Sequence, residues 1–120
     1  EKDYPLWELG HIAKGALLYI GSDSGITQLL SGLTNSLLFF GNGSSRAWSP
    51  YSKNPYYAKK AAGITIEETR NSLGLIKKIA YLSVWCRPCF DIGCKGATCV
   101  NKLDNIAVLK EINNTLRALN

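Results

Sequence analysis

The fold of this chain is decided by residues 17–30, which read LLYIGSDSGITQLL. The apolar run Leu17–Ile20 predicts a strand, and the spacing of the apolar residues from Ile26 onward predicts a helix. A short turn of Gly, Ser and Asp residues joins these two elements. In an open α/β sheet, ligands bind at the carboxyl ends of the strands. The turn is therefore a candidate ligand site.

The residues of this turn admit two interpretations. Ser22, Asp23 and Ser24 belong to the residue types preferred at helix N-caps, and capping alone would explain their presence. Alternatively, the small residues let a ligand approach the backbone, and the N–H groups at the helix start suit phosphate oxygens. The Asp23 carboxylate would then accept hydrogen bonds from sugar hydroxyls. The local pattern leaves both interpretations open.

A short helix is predicted before the strand, and a second apolar run, Leu37–Phe40, follows the helix. The first helix is expected to bury one apolar face, which consists of Trp7, Leu9, Ile12, Ala13 and Ala16. Strands that are apolar on both faces and alternate with helices are typical of a parallel sheet covered by helices. Two strands cannot make such a sheet alone, so we expect a further strand at Ile79–Trp85 or from another part of the protein.

The C-terminal half contains an aromatic-rich loop and two helix signals. Residues 46–63 are rich in Trp, Tyr and Pro, which fits either a binding-site lining or a cover over the sheet end. Thr65–Glu68 matches a capping box and predicts a helix that begins there, with Glu68 at position N3. A final amphipathic helix is predicted over Asp104–Leu119. Its expected apolar face consists of Ile106, Leu109, Ile112, Leu116 and Leu119.

The composition excludes several classes of protein. With 120 residues, 46% hydrophobic and 19% charged, the chain is expected to fold as a single globular domain over residues 1–120. A net charge of +5 favours anionic partners, but the only adjacent basic pairs are Lys59–Lys60 and Lys77–Lys78. We expect most of the basic residues to lie on a solvated face, and we expect no nucleic-acid partner. No apolar run approaches the ~20 residues that span a bilayer, and residues 1–5 lack signal-peptide character.

All four cysteines fall in the Cys-rich loop 85–99, at Cys86, Cys89, Cys94 and Cys99. Four thiolates at this spacing suit one tetrahedral metal ion, zinc by default or iron. Four protein ligands leave no open coordination position, which indicates a structural role. Free thiols and two local disulfides are the alternatives, although disulfides are rare in the cytosol. A redox role is disfavoured because Cys86 does not open a helix. No organic cofactor is expected.

Together these features resemble the C-terminal half of the heptosyltransferase family of bacterial glycosyltransferases, family 9. The motifs that carry the resemblance are Trp7-Glu8-Leu9, GSDSGITQLL at 21–30, Phe40-Gly41, Trp48-Ser49-Pro50 and Cys86-Arg87-Pro88-Cys89. Their order and spacing match the family over most of the chain. The segment Ala58–Lys78 fits poorly and is expected to be an insertion. Gln28 stands where the family usually has His, and Leu30 where it usually has Ala.

The resemblance implies a role in binding a nucleotide-diphosphate sugar such as ADP-heptose. Asp23 would face the donor sugar, and Ser24 and Gly25 would meet the diphosphate, partly through backbone N–H groups. Gln28 would contact the donor as an amide, which hydrogen-bonds but cannot carry the proton of an imidazole. His11, the only histidine, lies in the preceding helix and is expected to be structural.

The family has the GT-B fold, in which two Rossmann-like domains face each other. The chain would be part of the C-terminal, donor-binding domain of a longer cytoplasmic enzyme at the inner face of the inner membrane. That enzyme would pass a sugar to a glycan or lipopolysaccharide-core acceptor held by its N-terminal domain. No residue of this chain is assigned a catalytic role, and the chain alone is expected to be inactive and to self-associate through an open sheet edge. The alternative is a non-catalytic, metal-organised module that contacts protein or nucleic acid.

Overall fold

The computed structural model describes residues 3–41, 49–61, 63–83 and 103–119 of the chain. Within these ranges the elements follow one another as α1 (Leu6–Gly15), β1 (Tyr19–Ser22), α2 (Gly25–Leu30), β2 (Ser36–Phe40), β3 (Tyr57–Ala61), β4 (Ile64–Arg70), β5 (Ile76–Leu82) and α3 (Asn105–Ala118). The predicted helix–strand–helix–strand order of the N-terminal part is confirmed, although β1 lies two residues further along the chain than Leu17–Ile20.

The strands form one five-stranded sheet in the order β1-β2-β5-β4-β3. β1, β2 and β5 are mutually parallel, whereas β4 runs antiparallel to both β5 and β3. The predicted parallel sheet is therefore correct for three strands and wrong for two. Short connections cause this difference, because a tight turn can join only antiparallel strands. Gly63 and Gly74 lie in these connections with φ of 80° and 79°, a region that favours glycine.

The helix predicted to begin at Thr65 is wrong, because residues 64–70 form β4. Ile64 and Ile66 are buried, and so are two threonines of the same strand, Thr65 and Thr69. These four side chains are β-branched and alternate between the two faces of the sheet, a pattern that suits a strand covered on both sides. Burial of both faces thus outweighs the local capping pattern.

β5 confirms the strand expected at Ile79–Trp85, but it begins three residues earlier, at Ile76, and ends at Leu82. It lies between β2 and β4, in the middle of the sheet. The segment Ala58–Lys78, expected to be an insertion, therefore supplies the start of a central strand as well as the β3–β4 hairpin at the edge. An insertion is expected at the edge of a sheet. The hairpin has that position, whereas the start of β5 lies in the middle of the sheet.

Each face of the sheet carries its own apolar cluster. On one face, α3 covers the buried residues Leu37, Ile64, Ile66 and Ala80 and packs against them through Ala107 and Ile112, joined by Leu103 just before the helix. On the other face, the buried residues are Leu38, Phe40 and Ile79, with Tyr19, Tyr56 and Tyr81 packed around them. The sheet is thus the middle layer of the domain.

α3 has the predicted position, and Asp104 caps it by accepting a hydrogen bond from the backbone N–H of Ile106 at 3.1 Å. Its buried face differs from the predicted one. Ile106 and Leu109 are 75% and 60% exposed, whereas Glu111 and Thr115 are buried. These two polar residues face Lys78 of β5, whose Nζ donates to Glu111 Oε1 at 2.9 Å and to Thr115 Oγ1 at 3.2 Å.

Lys77 and Lys78 are exceptions to the solvated face expected for most basic residues, since they are only 1% and 5% exposed. Both belong to the central strand β5; α3 covers Lys78, whereas Lys77 lies on the other face and donates to the carbonyl oxygen of Thr34. Lys59 and Lys60 lie on the edge strand β3 and are exposed, as predicted.

α1 packs against α2 but buries only Ala13 of its expected apolar face. Trp7 and Ile12 are exposed, and the Trp7 ring meets His11 edge-on, with 6.1 Å between the ring centroids. His11 is itself exposed. Among the described residues, no helix has the length and apolar character needed to cross a membrane.

Candidate functional site

The turn Ser22–Gly25, here called the β1–α2 turn, lies at the carboxyl end of β1. Because β1, β2 and β5 are parallel, all three strands end at this same edge of the sheet. Asp23, Ser24 and Gly25 are exposed there. The structure thus places these three predicted site residues together, at the edge where α/β sheets bind ligands.

Ser24 and Asp23 have different roles in the turn. Ser24 is the N-cap of α2, and its Oγ accepts a hydrogen bond from the backbone N–H of Thr27 at 3.4 Å. The capping interpretation is therefore correct for Ser24. The carboxylate of Asp23 has no hydrogen bond or ion pair within the described part of the chain. Capping does not account for Asp23.

The hydroxyl of Thr27 holds the turn in place. Thr27 is fully buried, and its Oγ1 donates to the carbonyl oxygen of Ser22 at 2.6 Å. Ser24 Oγ donates to Thr27 Oγ1 at 3.2 Å, and Tyr19 Oη lies 2.9 Å from Thr27 Oγ1. Since the single proton of Thr27 goes to Ser22, the Tyr19 phenol must be the donor in their contact. One hydroxyl thereby ties β1, the turn and α2 together.

Gly21 leaves room for this arrangement. A Cβ at position 21 would lie 2.5 Å from the phenolic oxygen of Tyr19 and 2.7 Å from two of its ring carbons. The Tyr19 ring therefore crosses the space that any other residue would fill. The first glycine of the turn motif serves the packing of β1 on α2, and this use does not require a ligand.

Gln28, the fourth predicted donor-binding residue, lines a cavity of about 310 Å³. The other lining residues are Ser31, Gly32, Pro50, Tyr51, Ser52, Lys53, Asn71, Ser72 and Leu73, none of which belongs to the β1–α2 turn. Asn71–Leu73 connect β4 to β5 at the amino end of β5. The structure therefore brings Gln28 together with residues of the opposite sheet edge.

A larger, more open groove of about 570 Å³ runs along the β3–β4 hairpin. Its walls come from residues 54, 55, 57–59 and 68–70 and carry the charged side chains Lys59, Glu68 and Arg70. It contains none of the predicted site residues. Asn54 fixes one end of the groove by donating from Nδ2 to the carbonyl oxygen of Arg70 at 2.6 Å.

Buried polar groups that the sequence pattern did not predict lie near the C-terminal end of α2. Lys77 Nζ donates to the carbonyl oxygen of Thr34 at 3.1 Å, and burial lowers the pKa of this ammonium to about 8. Ser31 and Ser36 are fully buried, and neither hydroxyl has a hydrogen-bond partner within the described residues. The available signal was the position of Lys77 and Lys78 inside the apolar run LIKKIAYL. Such a run predicts a buried strand despite its charges.

Of the two roles expected for the aromatic-rich loop, the cover over the sheet is confirmed by Tyr56. Tyr56 is half-buried and packs on Leu38, Phe40 and Ile79, so it covers the sheet. Its hydroxyl donates to the carbonyl oxygen of Pro50 at 2.7 Å, and burial, then the charge of Glu67, raise its pKa. Tyr51 is 82% exposed and lines the cavity beside Gln28.

The predicted metal ligands Cys86, Cys89, Cys94 and Cys99 lie outside the described residues, as does Trp48 of the loop motif. Within residues 3–41, 49–61, 63–83 and 103–119, no group of three or more His, Cys, Asp or Glu side chains could hold a metal ion. This finding does not bear on the four cysteines.

No family model, no curated protein and no solved structure matches this chain.

Proposed function

We propose that the chain is the donor-binding part of a bacterial glycosyltransferase that uses a nucleotide-diphosphate sugar. The observation that carries this proposal is the free carboxylate of Asp23. It is exposed at the carboxyl edge of three parallel strands, in a turn whose neighbouring hydroxyls are engaged with one another. A carboxylate held by a rigid turn is a suitable acceptor for the vicinal hydroxyls of a sugar.

Ser24 and Gly25 would contact the diphosphate of the donor. The Ser24 side chain is occupied as the helix cap, so its contribution would come from the backbone N–H. Charge develops on the diphosphate as the glycosidic bond breaks, and hydrogen-bond donors fixed beside it would stabilise that charge. Gln28, which the resemblance assigns to the donor, lines the cavity at the opposite sheet edge and is left out of the proposed donor contact.

The reaction proposed for the whole enzyme is transfer of a heptose or hexose from the nucleotide diphosphate to an acceptor hydroxyl of lipopolysaccharide core or a related glycan. The acceptor and the general base belong to a second domain in this proposal. The described residues supply no candidate base next to Asp23, since His11, their only histidine, lies in α1. The chain by itself is expected to bind the donor weakly and to transfer no sugar.

Donor binding is tested by titrating the isotope-labelled chain with ADP-heptose, with ADP alone and with heptose alone. The amide signals of Asp23, Ser24 and Gly25 should shift, with the largest shifts for the intact nucleotide sugar. Asp23→Ala should abolish the response to the sugar moiety. Asp3→Ala, which removes another exposed carboxylate, is the matched control and should leave the titration unchanged.

In the full-length enzyme, Asp23→Ala should lower sugar transfer at least tenfold while the melting temperature stays within experimental error. Shifts confined to other parts of the chain would overturn the proposal. So would a variant that melts earlier but transfers sugar normally, because that result would make Asp23 a purely structural residue.

A further inference from the structure

We propose that the cavity beside Gln28, here called the α2 cavity, binds a monosaccharide-sized ligand that carries an anionic group, such as a sugar phosphate or a sugar acid. The cavity lies between α2, residues 50–53 and the β4–β5 connection. It is therefore separate from the β1–α2 turn, which lies at the other edge of the sheet. Its volume of about 310 Å³ is at the lower end of the ~300–1,000 Å³ typical of small-molecule sites and suits one sugar ring rather than a nucleotide.

The first support for this proposal is the hydroxyl of Ser31. Ser31 lines the cavity, is fully buried, and has no hydrogen-bond partner for its Oγ within the described part of the chain. Buried polar groups in folded proteins are nearly always hydrogen-bonded, because an unpaired one has lost its water without compensation. Because Ser31 is fully buried, a ligand hydroxyl would become its partner after a small opening of the lining around it.

The second support is the amide of Asn71. Its Oδ1 accepts hydrogen bonds from the backbone N–H groups of Leu73 and Leu75, both at 3.0 Å. These two bonds fix the plane of the amide and leave Nδ2 without a partner among the described residues. A donor held in this way suits a hydroxyl or an anionic oxygen of a ligand.

Charge decides the class of ligand. Lys53 is the one charged side chain among the lining residues that the structure describes, and these include no carboxylate. Lys53 is exposed and has no ion pair within the described residues. A lining with one ammonium and several hydrogen-bonding groups favours a polyhydroxylated anion over a cation.

Tyr51 adds an aromatic ring to the lining of the cavity. Its ring is 82% exposed at the same cavity, so the apolar face of the ring is available to the C–H groups of a sugar. Apolar ring, amide, hydroxyl and ammonium together match the mixed polar and apolar surface of a sugar phosphate.

The proposal is tested by titrating the full chain with glucose 6-phosphate, glucuronate, glucose and inorganic phosphate, followed by amide shifts and calorimetry. Glucose 6-phosphate and glucuronate should shift the amides of Ser31, Lys53 and Asn71. Glucose and inorganic phosphate should each bind ~10-fold more weakly, since each lacks one of the two recognised features.

Three variants identify the site. Lys53→Gln should weaken binding of glucose 6-phosphate ~10-fold, whereas Lys60→Gln, which removes an exposed lysine elsewhere, should not. Ser31→Ala should weaken binding without lowering stability, because its hydroxyl has no partner to lose. Asn71→Asp keeps the acceptor that forms the turn but replaces the amide donor, and it should also weaken binding.

Equal affinity for inorganic phosphate and glucose 6-phosphate would overturn the proposal, because it would reveal a simple anion site. Absence of shifts at the α2 cavity with every probe would overturn it as well. Asp23→Ala should leave this binding unchanged, so this proposal and the proposed donor site succeed or fail separately.

Discussion

The phenol of Tyr19 donates a hydrogen bond to Thr27 Oγ1 over 2.9 Å, and this contact joins the first strand to the second helix. The residues are eight positions apart and enclose the whole β1–α2 turn. Thr27 accepts from Tyr19 and Ser24 and donates to Ser22, so all of its hydrogen-bonding capacity is used. The conformation of the turn therefore depends on one buried hydroxyl.

Replacing Thr27 tests this dependence. Thr27→Val keeps the shape of the side chain but leaves the donors of Tyr19 and Ser24 and the carbonyl of Ser22 without their partner. We expect a loss of ~1–3 kcal/mol in the free energy of unfolding. Thr27→Ser retains the hydroxyl and should lose clearly less. Equal stability of the two variants in urea denaturation would show that the hydroxyl does not hold the turn.

The contact between Gly21 and Tyr19 predicts a coupled pair of substitutions. Gly21→Ala should destabilise the chain by ~1–3 kcal/mol, because the new methyl group displaces the Tyr19 ring from Thr27. In a Tyr19→Leu background the ring is absent, so the same substitution should cost much less. A double-mutant cycle measured by urea denaturation gives the coupling energy. Additive effects would place the cause of the destabilisation in the backbone of residue 21.

The ion pair between Lys78 and Glu111 predicts that single substitutions are worse than the double one. Lys78→Met leaves the Glu111 carboxylate buried without its cation and should cost ~3–5 kcal/mol. Adding Glu111→Leu removes the unpaired charge, so the double variant should recover most of that loss. Unfolding in urea measures the stability, and hydrogen exchange of the α3 amides reports whether the helix stays docked. Lys60→Met, on the exposed edge strand, is the control.

The parts of this fold that were predicted correctly are those encoded by local pattern. The apolar run before Gly21, the cap at Ser24 and the periodicity after Asp104 each lie within one element, and each led to the correct element. The position of Asp23, Ser24 and Gly25 in one exposed turn was predictable to the same extent, because they are neighbours in the sequence.

The errors came from contacts between distant residues. Glu111 is buried because Lys78, 33 residues earlier in the chain, lies beneath it, and no pattern within α3 contains that information. Thr65 and Glu68 do match a capping box, but the β-branched residues around them are buried on both sides of a sheet. The α2 cavity joins three separate segments of the chain, so its lining could not be foreseen from any one of them.

Lys77 predicts a pH dependence of stability. Burial lowers its pKa from 10.5 to about 8 in the folded chain, whereas the unfolded chain keeps the ordinary value. Between these two pKa values the unfolded chain holds a proton that the folded chain has released. Unfolding then takes up a proton, so the free energy of unfolding should rise as the pH rises above 8.

Lys77→Met should abolish this rise, which urea denaturation between pH 7.5 and 9.5 would measure. Staying below the ordinary pKa of tyrosine avoids the opposite effect of Tyr56, whose pKa is raised by burial. Lys59→Met, on the exposed edge strand, should keep the slope of the parent chain. A parent chain whose stability is flat over this range would show that the Lys77 ammonium stays charged in the fold.

The four cysteines give the last prediction, that Cys86, Cys89, Cys94 and Cys99 hold one structural zinc or iron ion. They lie between β5 and α3, so a metal ion bound to them would restrain the chain that leads into the last helix. Elemental analysis of protein purified without added metal should give about one ion per chain. Cys89→Ser should lose the metal and accelerate tryptic cleavage at Lys95 and Lys102, whereas Thr98→Ser keeps all four thiolates and should behave like the parent chain. Metal-free protein with four titratable thiols, or with its thiols paired as disulfides, would contradict the prediction, because either state leaves no set of four thiolates to bind an ion.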